Sequence, residues 1–272
     1  MERRTMDNVY SMPIAGREDP PRTAGLTMVI DMGSGVAATS DLVRYAGRYI
    51  DIIKISSGSA ALYPDAVFRD KLAVIKSAGI KTEAGGSHFE VAYWKGRFEQ
   101  LVTRLLELGV DFVEIADGHL PLPHSDRVGA IKRAKQMGIG VVTEVGKKLP
   151  EENIRALKMI DQINEDMASG ADMVIVEGKA SGKDVGIFNP DGSIDQSELE
   201  SLLEGGVPLE KIMWEAPLRE QQQALILRFG ANVNIGNVFA EEVYPLELMR
   251  NGLMLMPLID AYRREQNGGV RS

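Results

Sequence analysis

The stretch VVTEVGKKLP, Val141–Pro150, decides the fold. It opens on β-branched residues, closes on a glutamate and a glycine, and then sets Lys147 beside Lys148. A buried run that ends so abruptly in charge suits a strand whose tip opens into a polar site. The question is whether the rest of the chain repeats the pattern.

It does. From residue 26 onward, eight short apolar runs alternate with longer amphipathic segments: LTMVID, YIDIIKIS, IKTEAGG, DFVEIADG, VVTEVG, DMVIVEG, KIMWEAP and NVNIGN. Each is rich in Val, Ile and Met, as strands buried on both faces are. The segments between them have helical spacing; Phe98, Leu101, Val102, Leu105 and Leu106 form one apolar stripe. Many stop at a glycine, among them Gly109, Gly138 and Gly230, and several start at Ser-Asp, Pro-Asp or Pro-Glu pairs. Eight β-α units predict an α/β fold of the (β/α)₈ TIM-barrel type rather than an open doubly wound sheet. DMGSGVA, Asp31–Ala37, has G-x-G without the third glycine of a dinucleotide fingerprint. Residues 1–25 are expected to be an N-terminal arm, 26–262 the barrel and 263–272 a flexible tail.

Composition narrows the function. A net charge of −8 argues against nonspecific nucleic-acid binding. With no cysteine, disulfides and thiolate metal sites are excluded. No apolar run approaches the roughly 18 residues that span a bilayer, and MERRTMDNVYSMP lacks a signal-peptide core. A cytoplasmic protein with no membrane association is expected, and barrels of this kind often form homo-oligomers.

The polar residues gather at the run ends: Asp31, Lys54, Glu83, Glu114, Glu144, Glu177, Glu215 and Asn234. In a barrel those ends face one rim, where the chemistry sits. Like-charged carboxylates in one mouth repel unless protonated, paired with lysine or bridged by a cation. Oxygen-only ligation favours Mg²⁺ or Mn²⁺, with Glu114, Glu144 and Glu177 as candidate ligands. Lys54, Lys147, Lys148 and Lys179 are candidates to bind an anion, donate a proton or form a Schiff base. Glycine-polar turns that can cradle phosphate include Ser59 in SSGSA, Gly85, Gly86 and Ser87 in AGGSHFE, and Ser181 and Gly182 in ASGKD. After the seventh and eighth runs come Arg219 and Gly236, the usual phosphate position of this fold. His88, His119 and His124 show no metal-ligand spacing and are expected to be surface or loop residues.

The strings GLTMVIDMG, YIDIIKI, FEVAYWKGRFEQ, DFVEIADG, TEVGKK, MVIVEGKASG, WEAPLREQQ and NVNIGNV, in that order from about Arg22 to Gly252, resemble the phosphosulfolactate synthase family. The resemblance implies a (β/α)₈ barrel that adds sulfite to phosphoenolpyruvate with Mg²⁺, an early step toward coenzyme M or sulfolactate. It implies Glu114, Glu144 and Glu177 at the ion, Lys148 as proton donor with Lys147 as the alternate, and Lys54, Arg22 and Arg219 against substrate anions. The chain departs from the family pattern at SSGSA (Ser56–Ala60), at Glu83 and His88, at Lys179-Ala180 and at GLMLMP (Gly252–Pro257). Two alternatives therefore stand beside sulfite addition: another nucleophile or acceptor in the same enolate chemistry, or a non-catalytic, stress-associated barrel.

Overall fold

The structure, a computed structural model, describes residues 5–146, 156–179 and 181–268. Eight parallel strands close into a barrel in chain order. They are β1 (Thr27–Asp31), β2 (Ile52–Ile55), β3 (Lys81–Ala84), β4 (Phe112–Ile115), β5 (Gly140–Val145), β6 (Met173–Val176), β7 (Ile212–Glu215) and β8 (Ile235–Val238). The closing β8–β1 seam carries a register shift between Thr27 and Val29. Around them lie α1 (Val36–Ala46), α2 (Asp65–Ser77), α3 (Gly86–Trp94), α4 (Phe98–Leu108), α5 (His124–Met137), α6 (Ala156–Ser169), α7 (Gln196–Glu204), α8 (Arg219–Phe229), α9 (Val243–Arg250) and α10 (Leu255–Gly268). The expected fold class is the observed one. Helix α10 runs to Gly268, so the segment expected to be a tail from residue 263 is helical over its described part.

Strand alternation explains how one short run serves both core and site. Ile52, Phe112, Val142, Ile175 and Met213 pack inside the barrel with Met28 and Met173. Two residues further along each strand direction lie Lys54, Glu114, Glu144, Glu177 and Glu215, all buried. A period of two puts each charged residue directly above its apolar partner. The opposite parity (Val29, Ile53, Val113, Val141, Val174 and Ile212 among others) faces the helices and forms the larger core.

The N-terminal end of the barrel is sealed by the arm. Arg17 pairs with Glu247 at 3.1 Å, and Ile14 N–H donates to Asn251 O at 3.2 Å. Arg250, fully buried, donates to the carbonyls of Ala231, Val233 and Leu26, just ahead of β8 and β1. No helix among the described residues is long and apolar enough to cross a membrane.

Candidate active site

The C-terminal strand ends open into a cavity of about 190 Å³. At its floor Lys54 reaches from β2 across the barrel. Its Nζ lies 2.6 Å from Glu114 Oε2, 2.9 Å from Glu215 Oε1, and 4.0 Å from both Glu83 Oε1 and Glu144 Oε2. Burial alone would discharge such a lysine, but the surrounding charges of Glu114, Glu215, Glu83 and Glu144 hold it well above its ordinary value. Lys54 is therefore a fixed cation, and one short of what its neighbours need.

The carboxyls show the deficit. Burial pushes Glu83 above the ordinary carboxylate range, against the pull of Lys54. Glu114 goes well above it, again through burial first, with Glu144 and Glu83 adding to the effect despite Lys54. Glu83 and Glu114 are in side-chain contact, and two buried carboxyls in contact share a proton rather than hold two charges.

On the other side of Lys54, one oxygen from each of Glu144, Glu177 and Glu215 falls within 4.8 Å of the others. Three buried, oxygen-only donors beside an unbalanced negative charge fit a hard divalent cation such as Mg²⁺. Of the three residues expected at a metal, Glu144 and Glu177 are in this trio. Glu114 is not; its carboxylate pairs with Lys54 at 2.6 Å, and the third member of the trio is Glu215, which Lys54 also contacts at 2.9 Å. Glu215 was visible as one more strand-end glutamate on the strand next to β6, but nothing in the sequence says which of the strand-end carboxylates converge.

The turn after β5 explains its glycine. Gly146 has φ +116, and a Cβ there would lie 2.7 Å from Glu177 Cβ, so a side chain would displace the trio. Lys147 and Lys148, which follow, lie outside the described residues. Lys179 lines the cavity from a left-handed backbone (φ 54), its N–H donating to Glu177 Oε1 at 2.6 Å.

The phosphate candidates divide. Gly86 and Ser87, at the start of α3, line the cavity. Gly86 sits where a Cβ would press on Glu114 Oε1, and Gly85 packs on Ile55 O and Ser57 N beneath it. Ser56 and Ser57 line the cavity, whereas Ser59 begins a short 3₁₀ turn away from it. Ser181 is exposed, and Gly182 is held by Gln221 Nε2, which donates to its carbonyl at 2.6 Å.

Four further expectations need correcting. Arg22 lies at the opposite end of the barrel, bonded to Asp51, Glu18 O and Arg48 O; it precedes β1, so the strand carries it away from the mouth. Asn234 is also at that end, because β8 begins one residue later; its amide bonds Leu26 N, Glu210 O and Ile212 O. Gly236 is interior packing, where a Cβ would lie 2.7 Å from Met28 Cε. Arg219 is paired with Glu242 at 2.7 Å on the outside.

Two further residues line the cavity: Asn237, which the sequence reading passed over, and His119, which it expected to be a surface or loop residue. Asn237, at φ 54, lines the mouth with a buried Oδ1 that has no hydrogen-bond partner among the described residues. His119 lines it too, its Nδ1 2.8 Å from Glu90 Oε2. His119 is exposed in the loop after β4, as expected, and its place just after DFVEIADG brings it to the mouth.

The sequence profile of the (2R)-phospho-3-sulfolactate synthase (ComA) family matches residues 15–255. Phosphosulfolactate synthase of Methanocaldococcus jannaschii is 41% identical over 232 residues, covering 84% of this chain and 92% of its own. That of Methanothermobacter thermautotrophicus is 33% identical, covering 90% and 96%. That of Bacillus subtilis is 28% identical, covering 90% and 97%. Among solved structures, phosphonopyruvate hydrolase superposes with a TM-score of 0.53 at 12% identity, covering 92% of this chain and 85% of that one. 3-Hexulose-6-phosphate synthase gives 0.51 at 18% identity, covering 81% and 98%. At those identities the structural likeness concerns the fold alone. With a profile match along nearly the whole barrel and relatives above 30% identity, the chain belongs to the (2R)-phospho-3-sulfolactate synthase family of enzymes.

Proposed function

We propose that the protein adds sulfite to phosphoenolpyruvate in a Mg²⁺-dependent reaction, forming the carbon–sulfur bond of phosphosulfolactate. The observation that carries this reading is the convergence of Glu144, Glu177 and Glu215 beside Lys54 in a chain of this family.

The chemistry sets the demands. The sulfur lone pair attacks the methylene carbon, the double-bond pair moves toward the carboxylate, and the adjacent carbon takes a proton. A Mg²⁺ ion held by Glu144, Glu177 and Glu215 would supply a sink for the charge that develops on that carboxylate. Lys54 supports the reaction from beneath: its fixed charge holds Glu114 and Glu215 in place and lowers the cost of burying them. Lys179 stands at the rim, where an anionic substrate enters. Gly86 and Ser87 offer backbone and hydroxyl donors to a phosphate. The proton donor is assigned to Lys148, with Lys147 as the alternate; both follow the Gly146 turn directly.

Phosphorus NMR of the protein with phosphoenolpyruvate and Mg²⁺, with and without sulfite, tests this. A phosphate-ester signal that needs both sulfite and Mg²⁺ is expected. Glu83 favours a second reading, in which a different nucleophile is used: it adds one more carboxyl to the surroundings of Lys54, so less of that lysine's charge is left for an anionic nucleophile. Unchanged phosphoenolpyruvate from a folded protein that still binds it with Mg²⁺ would select that alternative.

A further inference from the structure

Among the described residues that line the cavity, Glu90 and His119 form a unit that neither the cation cage nor the substrate contacts above employ. Glu90 belongs to α3 and is 5% exposed. Its Oε1 accepts the backbone N–H groups of His119 at 2.7 Å and Leu120 at 3.0 Å, while Oε2 faces His119 Nδ1 at 2.8 Å. The carboxylate has only acceptors to offer, so Nδ1 carries the proton and the ring's free lone pair sits on Nε2. One buried group thus grips both the backbone and the ring of the same residue. The loop after β4 would be secured by the two backbone bonds alone; the third bond orients an imidazole whose side chain is 53% exposed at the mouth. A base within a reaction cavity, oriented by a buried carboxylate, is the arrangement that activates a nucleophile.

We infer that His119 is the proton acceptor for the attacking nucleophile and that Glu90 is its positioning residue. The inference rests on the proposed sulfite addition. In neutral solution sulfite exists partly as hydrogen sulfite, whose proton must leave for sulfur to attack as the dianion. That proton passes to His119 Nε2; the sulfur pair forms the bond to the methylene carbon; the double-bond pair moves toward the carboxylate; and a lysine ammonium protonates the neighbouring carbon. The imidazolium then returns its proton to solvent, from which the lysine is recharged, so protons and electrons balance. The charged groups sharing the cavity with the ring are Glu90 from α3, Lys54 from β2, Glu114 from β4, Glu144 from β5, Glu177 and Lys179 after β6, and Glu215 from β7. All persist in a His119 variant, so their titration is common to both proteins and drops out of the ratio of rates.

The test is kcat/KM for sulfite, at saturating phosphoenolpyruvate and Mg²⁺, for wild type, His119→Gln and Glu90→Gln from about pH 6 to about pH 9. His119→Gln is expected to lose about 100-fold at the acid end, where hydrogen sulfite dominates, and to come within a few-fold of wild type at the alkaline end. Its KM for phosphoenolpyruvate should not change. Glu90→Gln should show the same shape with a smaller loss; should that variant fail to fold, the His119→Gln profile decides alone. A loss of equal size at every pH, or none, overturns the role of His119 and leaves sulfite addition standing. Wild-type protein that makes no sulfite-dependent product overturns both.

Discussion

Lys54 shows how much a single residue can be asked to do. It is the one lysine whose Nζ lies within 4.0 Å of four buried glutamates among the described residues. Removing it leaves those carboxylates facing one another in low dielectric, so Lys54→Met is expected to cost about 3–5 kcal/mol at neutral pH. The sign of the pH dependence follows from its raised value. Its contribution is complete below the unfolded lysine value of 10.5 and is lost only as pH rises through the still higher folded value. Wild type therefore keeps it throughout the neutral range. The variant's deficit should shrink in acid, because Glu83 and Glu114, both raised by burial, become protonated and cease to repel. Urea denaturation of both proteins from about pH 5 to about pH 8 checks this; a deficit that does not vary with pH would remove carboxylate repulsion as its cause. The identity of this lysine as a site residue was legible, since it interrupts an apolar run. Its partners were not, because beyond Glu83 on the adjacent β3 they come from β4, β5 and β7, across the barrel.

At the scale of elements, Arg127 of α5 is the tie that the site depends on. Its guanidinium spans Asp166 of α6 at 2.5 Å, Asp117 after β4 at 3.3 Å, and the carbonyl of Glu144 in β5 at 2.9 Å. One buried side chain thereby fixes the end of β5 that carries a proposed cation ligand and precedes Gly146. Lysine cannot span three acceptors in different directions. Arg127→Lys is expected to raise the Mg²⁺ concentration for half-saturation by about 10–100-fold, measured by titration calorimetry in the absence of substrate. An unchanged Mg²⁺ affinity would show that β5 holds its end without this tie. The strands themselves were readable from eight apolar runs, and their order from chain succession. What periodicity leaves open is where each strand starts. Beginning β8 at Ile235 rather than at Asn234 exchanges the mouth residue, so Asn237 occupies the cavity and Asn234 the opposite end. Cross-element pairs such as Arg127 with Asp166, 39 residues apart, have no local signal at all.

The whole molecule separates these duties between two ends, and the two ends should respond differently to change. At the closed end, Arg250 satisfies three carbonyls, and burial pulls its guanidinium down to about 9, which leaves it charged at neutral pH. Arg250→Met should cost about 3 kcal/mol through acceptors left unsatisfied and should leave Mg²⁺ affinity as it was. The open end carries its charge imbalance as a cost that a cation removes. A Mg²⁺ ion held as proposed by Glu144, Glu177 and Glu215 would bind the folded chain and find no matching site in the unfolded one, so it is expected to raise stability by mass action. At a concentration about 100 times its dissociation constant the gain is about 2.7 kcal/mol, a rise in melting temperature of roughly 5–10 °C for a chain of this size. Protons that neutralise Glu83 and Glu114, both raised by burial, relieve the charge imbalance that the cation would offset, so the rise should diminish as pH falls toward the range where those two are neutral. A chelator should abolish it, and the double variant Glu144→Gln, Glu177→Gln should lack it while melting, metal-free, no lower than wild type. Melting curves with and without Mg²⁺ across that pH range measure all of this together. A Mg²⁺ effect that survives the double substitution would place the ion elsewhere on the protein.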